Sequence, residues 1–314
     1  MNEKEIFYRE KEAYGGPLTH IMDGITDSPL KEINTLYGAA DVLSIRNAEK
    51  HRRILLMLSI AGTLLTLSFL LYDEVELHGL IIACGVMVLC LFFIRRTAER
   101  LECHRKYLQY RVLAESLRVQ FFLSFAGLRT QVAEILPWSV RRGIPWIREV
   151  LAEIPQTACS NKQPILDCWV RDQKKYHQDA LKNAEIKNQT DGRVARIVLL
   201  ITIGAYVTAL LFELAAGRYH VGSADADRIR VVLKITLGTM SAITLFMGNY
   251  YGKMSLSNRI DDHKRMIALY ETAEEEILKN GENENLLLFL AREFLNENST
   301  WYAYQNKNKP DLVM

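Results

Sequence analysis

The side chains whose chemistry could carry a reaction are seven histidines, five cysteines and several neighbouring carboxylates. A metal centre would need them to converge, typically as two histidines three or four residues apart on a helix face or as HExxH. Neither pattern occurs. His104 and His263 have no second histidine at i+3 or i+4, and His20, His51, His78, His177 and His220 are scattered. The carboxylate pairs Glu99/Glu102 and Asp261/Asp262 fall in long charged stretches, where a solvated helix face accounts for them better than acid–base work. No GxGxxG, phosphate-binding loop or GxSxG is present. The cysteines form no CxxC pair: Cys84 and Cys90 sit in an apolar run, and Cys103, Cys159 and Cys168 flank the runs. That usage fits a reducing compartment without a structural metal. No catalytic residue, metal site or cofactor is expected, and the chain reads as a non-enzyme.

What does recur is a spacing. Arg100-Leu-Glu102-Cys-His104-Arg105-Lys106, with Ala114-Glu115 further on, is matched without a gap by Arg259-Ile-Asp261-Asp-His263-Lys264-Arg265, with Ala273-Glu274 further on. Each copy follows an apolar run, and Arg53 and Arg196 occupy equivalent places ahead of the runs. This agreement points to an internal duplication. On one uninterrupted helix, positions 0, 4 and 15 lie within about 60° of one another. Arg100, His104 and Glu115 would then share a face, as would Arg259, His263 and Glu274. Two such faces could pair across a pseudo-twofold axis or between subunits, forming a coupling element beneath a membrane. The alternative is a solvated face held by local ion pairs, each worth little.

The elements that must position these residues are apolar. Ile54–Tyr72 carries no charge, and Leu77–Ile94, Ile197–Leu214 and Ile235–Gly252 are similar in length. A hydrocarbon core is crossed by about 20 apolar residues in a helix. Four runs in two hairpins predict an all-α integral membrane protein with four transmembrane helices and a cytoplasmic bundle of juxtamembrane helices. Met1–Arg53 is polar and far too long for an n-region, so no signal peptide is expected. Arg46, Lys50, Arg52 and Arg53 precede the first run and Arg95, Arg96 and Arg100 follow the second, whereas the turn DEVELH has no basic residue. Both feet of the first hairpin are therefore cytoplasmic. The second hairpin gives a weaker signal, because its loop carries Arg218, Arg228 and Arg230. An even number of spans places both termini inside, in the inner (plasma) membrane.

Around the spans, residues 1–29 read as a poorly ordered N-terminal arm containing Gly15-Gly16-Pro17. Residues 30–128 form the first two-span hairpin with flanking helices, and its charged exit should be one continuous helix. Residues 129–191 form a connector that is Pro-rich, then helical. Pro137, Pro145, Pro155 and Pro164 predict a string of short helices and turns. Within it, PWSVRRGIPWIREVLAEIP suits either a helix at the membrane surface or packing against the cytoplasmic helices. Residues 192–301 form the second hairpin, its cytoplasmic helix and a docking helix striped by Leu286, Phe289, Leu290, Phe294 and Trp301. Residues 302–314 are a frayed tail.

Inside the spans, small and polar residues cluster in the fourth: Gly238, Ser241, Ala242 and Thr244, then Gly248-Asn249-Tyr-Tyr-Gly252. Without a hydrophobic drive between helices in lipid, small residues and interhelical hydrogen bonds hold spans together. Gly238, Ser241, Thr244, Gly248, Asn249 and Gly252 are thus expected either to pack helices or subunits together or to line a water-filled path. No span has an internal acidic or basic residue apart from Glu213 and Lys234 near the ends, which argues against a dedicated ion or proton transporter.

The arrangement of helix, two-span hairpin and long juxtamembrane helix, with LECHRKYLQYRVLAESLRVQFF, CWVRDQKKYH and the ending LAREFLNENSTWYAY, resembles the SLATT group. These are the SMODS- and SLOG-associating two-transmembrane effector domains of bacteria. The resemblance covers Leu30–Leu128 and Gly192–Trp301, in a duplicated hairpin form. It implies a membrane effector of a nucleotide-signal-linked conflict (antiphage) system, which oligomerises to permeabilise the membrane. No nucleotide-sensing domain is recognisable in the chain, so the sensor would be a separate protein or a missing part of a larger one. A non-conducting scaffold that recruits a soluble sensor or enzyme is the alternative. The expected partners are the lipid bilayer, further copies of the chain and that sensor. The net charge of +2, with no basic patch interleaved with aromatics, gives no indication of nucleic acid.

Overall fold

The computed structural model describes residues 2–75, 79–155, 164–219, 223–254 and 256–307. Side chains are described for all of these except 216–219, 223–225, 249–254 and 256–258. The described residues are helical, without a strand. In chain order the helices are α1 (Glu3–Glu12), α2 (Ser28–Val75), α3 (Leu80–Leu101), α4 (Cys103–Phe125), α5 (Val132–Ile135), α6 (Trp138–Gly143) and α7 (Pro145–Glu153). A π-helical turn, Leu166–Arg171, then leads into α8 (Asp172–Tyr219), followed by α9 (Ser223–Met254), α10 (Leu256–Asn280) and α11 (Glu284–Lys307). Four helical stretches are long and apolar enough to cross a membrane: Ser28–Val75, Leu80–Phe125, Leu166–Ala215 and Ala226–Gly248. Contacts divide the chain into two units that do not follow the expected sequential boundaries. One gathers Met1–His51, Glu102–Ala180 and Asp262–Val313, and the other Arg52–Leu101 and Leu181–Asp261.

The first unit is a helical bundle built around α4. Leu108, Leu113, Leu117, Phe121 and Leu123 are fully buried, and buried positions occur all around the helix. A helix with buried residues on most of its sides belongs in the middle of a bundle. From α2 it receives Leu30, Ile33, Leu36, Tyr37, Ala40 and Leu43, at the three- and four-residue spacing expected from the sequence. The Phe122 ring stacks on Trp169 at 4.9 Å, and Phe294 of α11 meets Trp169 edge-on at 5.3 Å. The docking helix therefore forms, although its buried stripe is Leu287, Leu290, Ala291, Phe294 and Leu295, and Phe289 faces outward. It reaches Lys307, beyond the expected start of the tail, whereas 308–314 lie outside the described residues.

Two further expectations are corrected here, and one open alternative is resolved. The N-terminal segment is not a poorly ordered arm. Asn2 and Glu5 form a reciprocal capping box that starts α1. Phe7, fully buried, then packs against Tyr110 and Trp146, while Glu3 pairs with Arg105 and Glu10 with Lys106. The short helices of the proline-rich connector form over 132–153, and Trp146, Ile147, Val150 and Leu151 bury into the core, so α7 is packed rather than surface-lying. Trp138 alone of that stretch's tryptophans is exposed, with the Arg142 guanidinium 4.4 Å above its ring. Finally, the exit from the second apolar run is not one continuous helix. Glu102 adopts a left-handed conformation (φ 47°, ψ 33°) that ends α3 and restarts the chain as α4.

The second unit holds the apolar parts of α2, α3, α8 and α9. α9 touches two of the others. A Cβ at Gly238 would lie 2.6 Å from Leu70 Cδ1, Phe246 closes on Gly62, and Lys234 pairs with Glu74 at 3.1 Å. Toward α8, Thr244 meets Thr202 at 3.4 Å, Ser241 meets the Tyr206 hydroxyl at 3.3 Å, and Arg230 donates to Glu213 at 2.8 Å. In both sets, residue number falls along α9 as it rises along its neighbour. The threonines mostly serve their own helices: Thr63, Thr66, Thr202, Thr208, Thr236 and Thr244 each donate to the carbonyl four residues earlier.

One close approach in the bundle is testable. Residues 19–22 are tied to α2 by Thr19 donating to Asp41 at 3.0 Å and by Asn34, which accepts from Ile21 N at 2.7 Å and donates to Met22 O at 2.8 Å. A Cβ at Gly38 would run into the Thr19 carbonyl, a backbone atom that cannot rotate away. Gly38→Ala should destabilise the bundle by about 1–3 kcal/mol, the usual penalty of overpacking. Gly192→Ala, in open space on α8, should instead stabilise by up to about 1 kcal/mol through helix propensity. Thermal melts of the detergent-extracted chain, with limited proteolysis around residues 13–27, check both signs.

Candidate functional site

The most chemically loaded place in the bundle is one stripe of α4. Arg111, Glu115 and Arg118 are spaced four and three residues apart and so share a face. Their side chains are only 27 %, 22 % and 14 % exposed. Glu115 lies between the two guanidinium groups, 2.7 Å from Arg111 Nη2 and 2.6 Å from Arg118 Nη1. Arg111 also reaches Asp41 of α2 at 3.3 Å, and Arg118 donates to the Tyr37 hydroxyl and, at 3.2 Å, to Gln173 of α8. Burial raises the Glu115 carboxyl, but Arg111 and then Arg118 outweigh it and hold the group below the usual carboxylate range. One carboxylate thus compensates two cations while α2, α4 and α8 converge on it.

Beside it lies His177 of α8. Its Nδ1 is 3.0 Å from His263 Nδ1 on α10, and its ring lies 5.8 Å from that of Tyr270. Burial and the neighbouring His263 push His177 down to about 4; Glu115 opposes the shift, and Arg118 and Arg111 add to it. The repeat-equivalent histidine does something similar in the first copy. His104 of α4 lies with its ring 4.8 Å from His51 of α2, and its Nε2 is 3.4 Å from the Gln305 carbonyl. Each histidine following a pair of apolar helical runs therefore meets a histidine on the helix that carries the first run of that pair. Sequence reading set His51 and His177 aside as scattered, because their partners lie 53 and 86 residues away and no local spacing marks them.

The six residues expected to form matched coupling faces are distributed differently. Arg100 sits on α3, and the reversal of backbone hand at Glu102 separates it from His104 and Glu115, so the first copy has no common face across the three. Arg259, His263 and Glu274 do share α10, with Arg259 exposed. Glu274 pairs with Arg171 at 2.6 Å and Lys174 at 3.1 Å instead of mirroring Glu115. Where the first copy has Arg111 and Arg118, the second has Tyr270 and Ile277, both buried. The two copies meet through His177, with Glu115 on one side and His263 on the other.

In the fourth span, Gly238 packs against α2, whereas Ser241 and Thr244 face α8. Gly248 is exposed, with nothing near a Cβ built on it. Asn249 and Gly252 lie outside the residues whose side chains are described, as does Cys159, which falls in 156–163. Among the described residues, no three metal-ligating side chains come together. No family model matches the chain, and neither does any curated protein or solved structure at a significant level.

The α4 stripe makes a direct prediction. Glu115→Gln leaves two guanidinium groups without their shared counter-charge and should destabilise the bundle by about 1–4 kcal/mol, between exposed and buried pairs. Glu274→Gln, whose nearest partner Arg171 is 44 % exposed, should cost less. Paired denaturant melts of the two variants in detergent test the ordering; equal losses would remove Glu115 from its central place.

Proposed function

We propose that the chain is a multi-pass effector of the bacterial inner membrane, which assembles with further copies and permeabilises the bilayer when its helical bundle receives a signal. The observation that supports membrane insertion is the surface of the second unit. Ile82, Phe93, Leu200, Leu210 and Leu245 are 72 %, 64 %, 66 %, 61 % and 69 % exposed, on helices long enough to span. An apolar surface of that extent is an aggregation hazard in water and is ordinary against lipid. The distribution of Lys and Arg supports two hairpins with both termini in the cytoplasm. Resemblance to the SLATT group supports the effector role, triggered by a separate nucleotide-sensing protein. Gly248, exposed on the fourth span, offers close approach to a second copy.

A non-conducting scaffold is the second reading, and one observation favours it. Thr202, Thr236 and Thr244 donate to their own helices, while Ser241 and Thr244 face α8, leaving few of the fourth span's hydroxyls for a water-filled path. Dye-reported membrane potential in bacteria induced to express the chain separates the two. We expect depolarisation that Gly248→Leu abolishes, since among the described residues no atom lies within 4 Å of a Cβ built there. An intact potential, with the protein recovered in the membrane fraction, would favour the scaffold.

A further inference from the structure

We propose that the His177–His263 contact is a proton-operated latch between α8 and α10, closed while the pair carries no more than one extra proton and opened by the second. The argument begins with counting protons. An Nδ1···Nδ1 hydrogen bond of 3.0 Å requires a hydrogen on one nitrogen and a lone pair on the other. A neutral pair satisfies this when one ring is the Nδ1–H tautomer. A singly protonated pair also satisfies it, with the imidazolium donating. A doubly protonated pair cannot: two N–H groups then point at each other and two positive charges share the junction, so the bond is lost and the helices repel.

The surroundings make the second proton hard to accept and its consequence local. α4 presents Glu115, Arg118 and Arg111 to the pair, α8 adds Tyr176, and α10 adds Tyr270. Glu115 is the only anion among them, and it is already held between the two arginines. Arg111 also engages Asp41, and Glu115 is already shared between two cations when a second imidazolium forms. The sign of the pH effect follows. His177, lowered to about 4 from an ordinary value near 6.5, binds its proton more readily when released. Its contribution to the closed state is complete above about pH 6.5 and is lost as pH falls through 4. Glu115, held below the carboxylate range, remains ionised over most of that window.

The test uses the full chain in nanodiscs, with nitroxide labels on cysteines placed at the exposed positions Gln178 on α8 and Ala268 on α10, in a background cleared of native cysteines. Above pH 6.5 a single short distance is expected. A longer one should replace at least half of it by pH 4. His263→Asn keeps an acceptor for a protonated His177 but cannot itself become charged, so it should hold the short distance to pH 4. His177→Asn makes the same comparison from the other side if the first variant does not fold. A wild-type distance unchanged to pH 4 would overturn the latch. Asparagine variants that open together with the wild type would do so too, by showing general acid unfolding.

Discussion

A carboxylate that compensates two cations in a half-buried place constrains everything packed against it. Glu115 can hold Arg111 and Arg118 only if both reach it from neighbouring turns of α4, which fixes the face that α4 turns toward α2 and α8. Asp41 and Tyr37 then take the remaining guanidinium donors from α2, and Gln173 takes one from α8. Removing water from such a group is expensive unless every charge is matched. The charges of Arg111 and Arg118 are thus matched by Glu115 and Asp41. Burial and the neighbouring His263 hold the His177 imidazole neutral, with Arg118 and Arg111 adding to the effect and Glu115 opposing it.

Much of the fold was legible because its signals are local. The apolar runs, the spacing of Leu30, Ile33 and Leu36, and the prolines that cut 129–155 into short helices are each visible within one or two turns of sequence. The N-terminal segment misled because Gly15, Gly16 and Pro17 do mark a break, but α1 lies ahead of it and is held by Phe7 and by ion pairs to residues about a hundred positions away. Glu102 misled for the opposite reason. Nothing in its residue type announces a left-handed backbone, yet that single residue removes Arg100 from the face it was expected to share.

The candidate site was half legible. The ungapped repeat drew attention to His104, Glu115, His263 and Glu274; His104, His263 and Glu274 make contacts between elements, and Glu115 pairs within α4 with the two arginines that reach α2 and α8. Which of them meet could not be read, because the two matched segments share spacing while the chemistry around them differs. Tyr270 and Ile277 took the places equivalent to Arg111 and Arg118, so only one copy retains a charged stripe and symmetry is a poor guide to pairing. The residue that joins the copies, His177, lies outside the matched segments.

The hydroxyls of the apolar helices have a mechanical consequence. A threonine that donates to the carbonyl four residues behind it carries its hydrogen bond along when its helix moves. α2, α8 and α9 are largely served in this way, so sliding one past another along their length breaks few polar contacts, chiefly those of Thr202, Tyr206, Ser241 and Thr244. What opposes such sliding is shape, where Phe246 meets Gly62 and Leu70 meets Gly238, together with the two ion pairs Glu74–Lys234 and Glu213–Arg230. Among the described side chains, the register of these helices is therefore set by shape at two glycines and by charge at two ion pairs, more than by hydrogen bonds between helices.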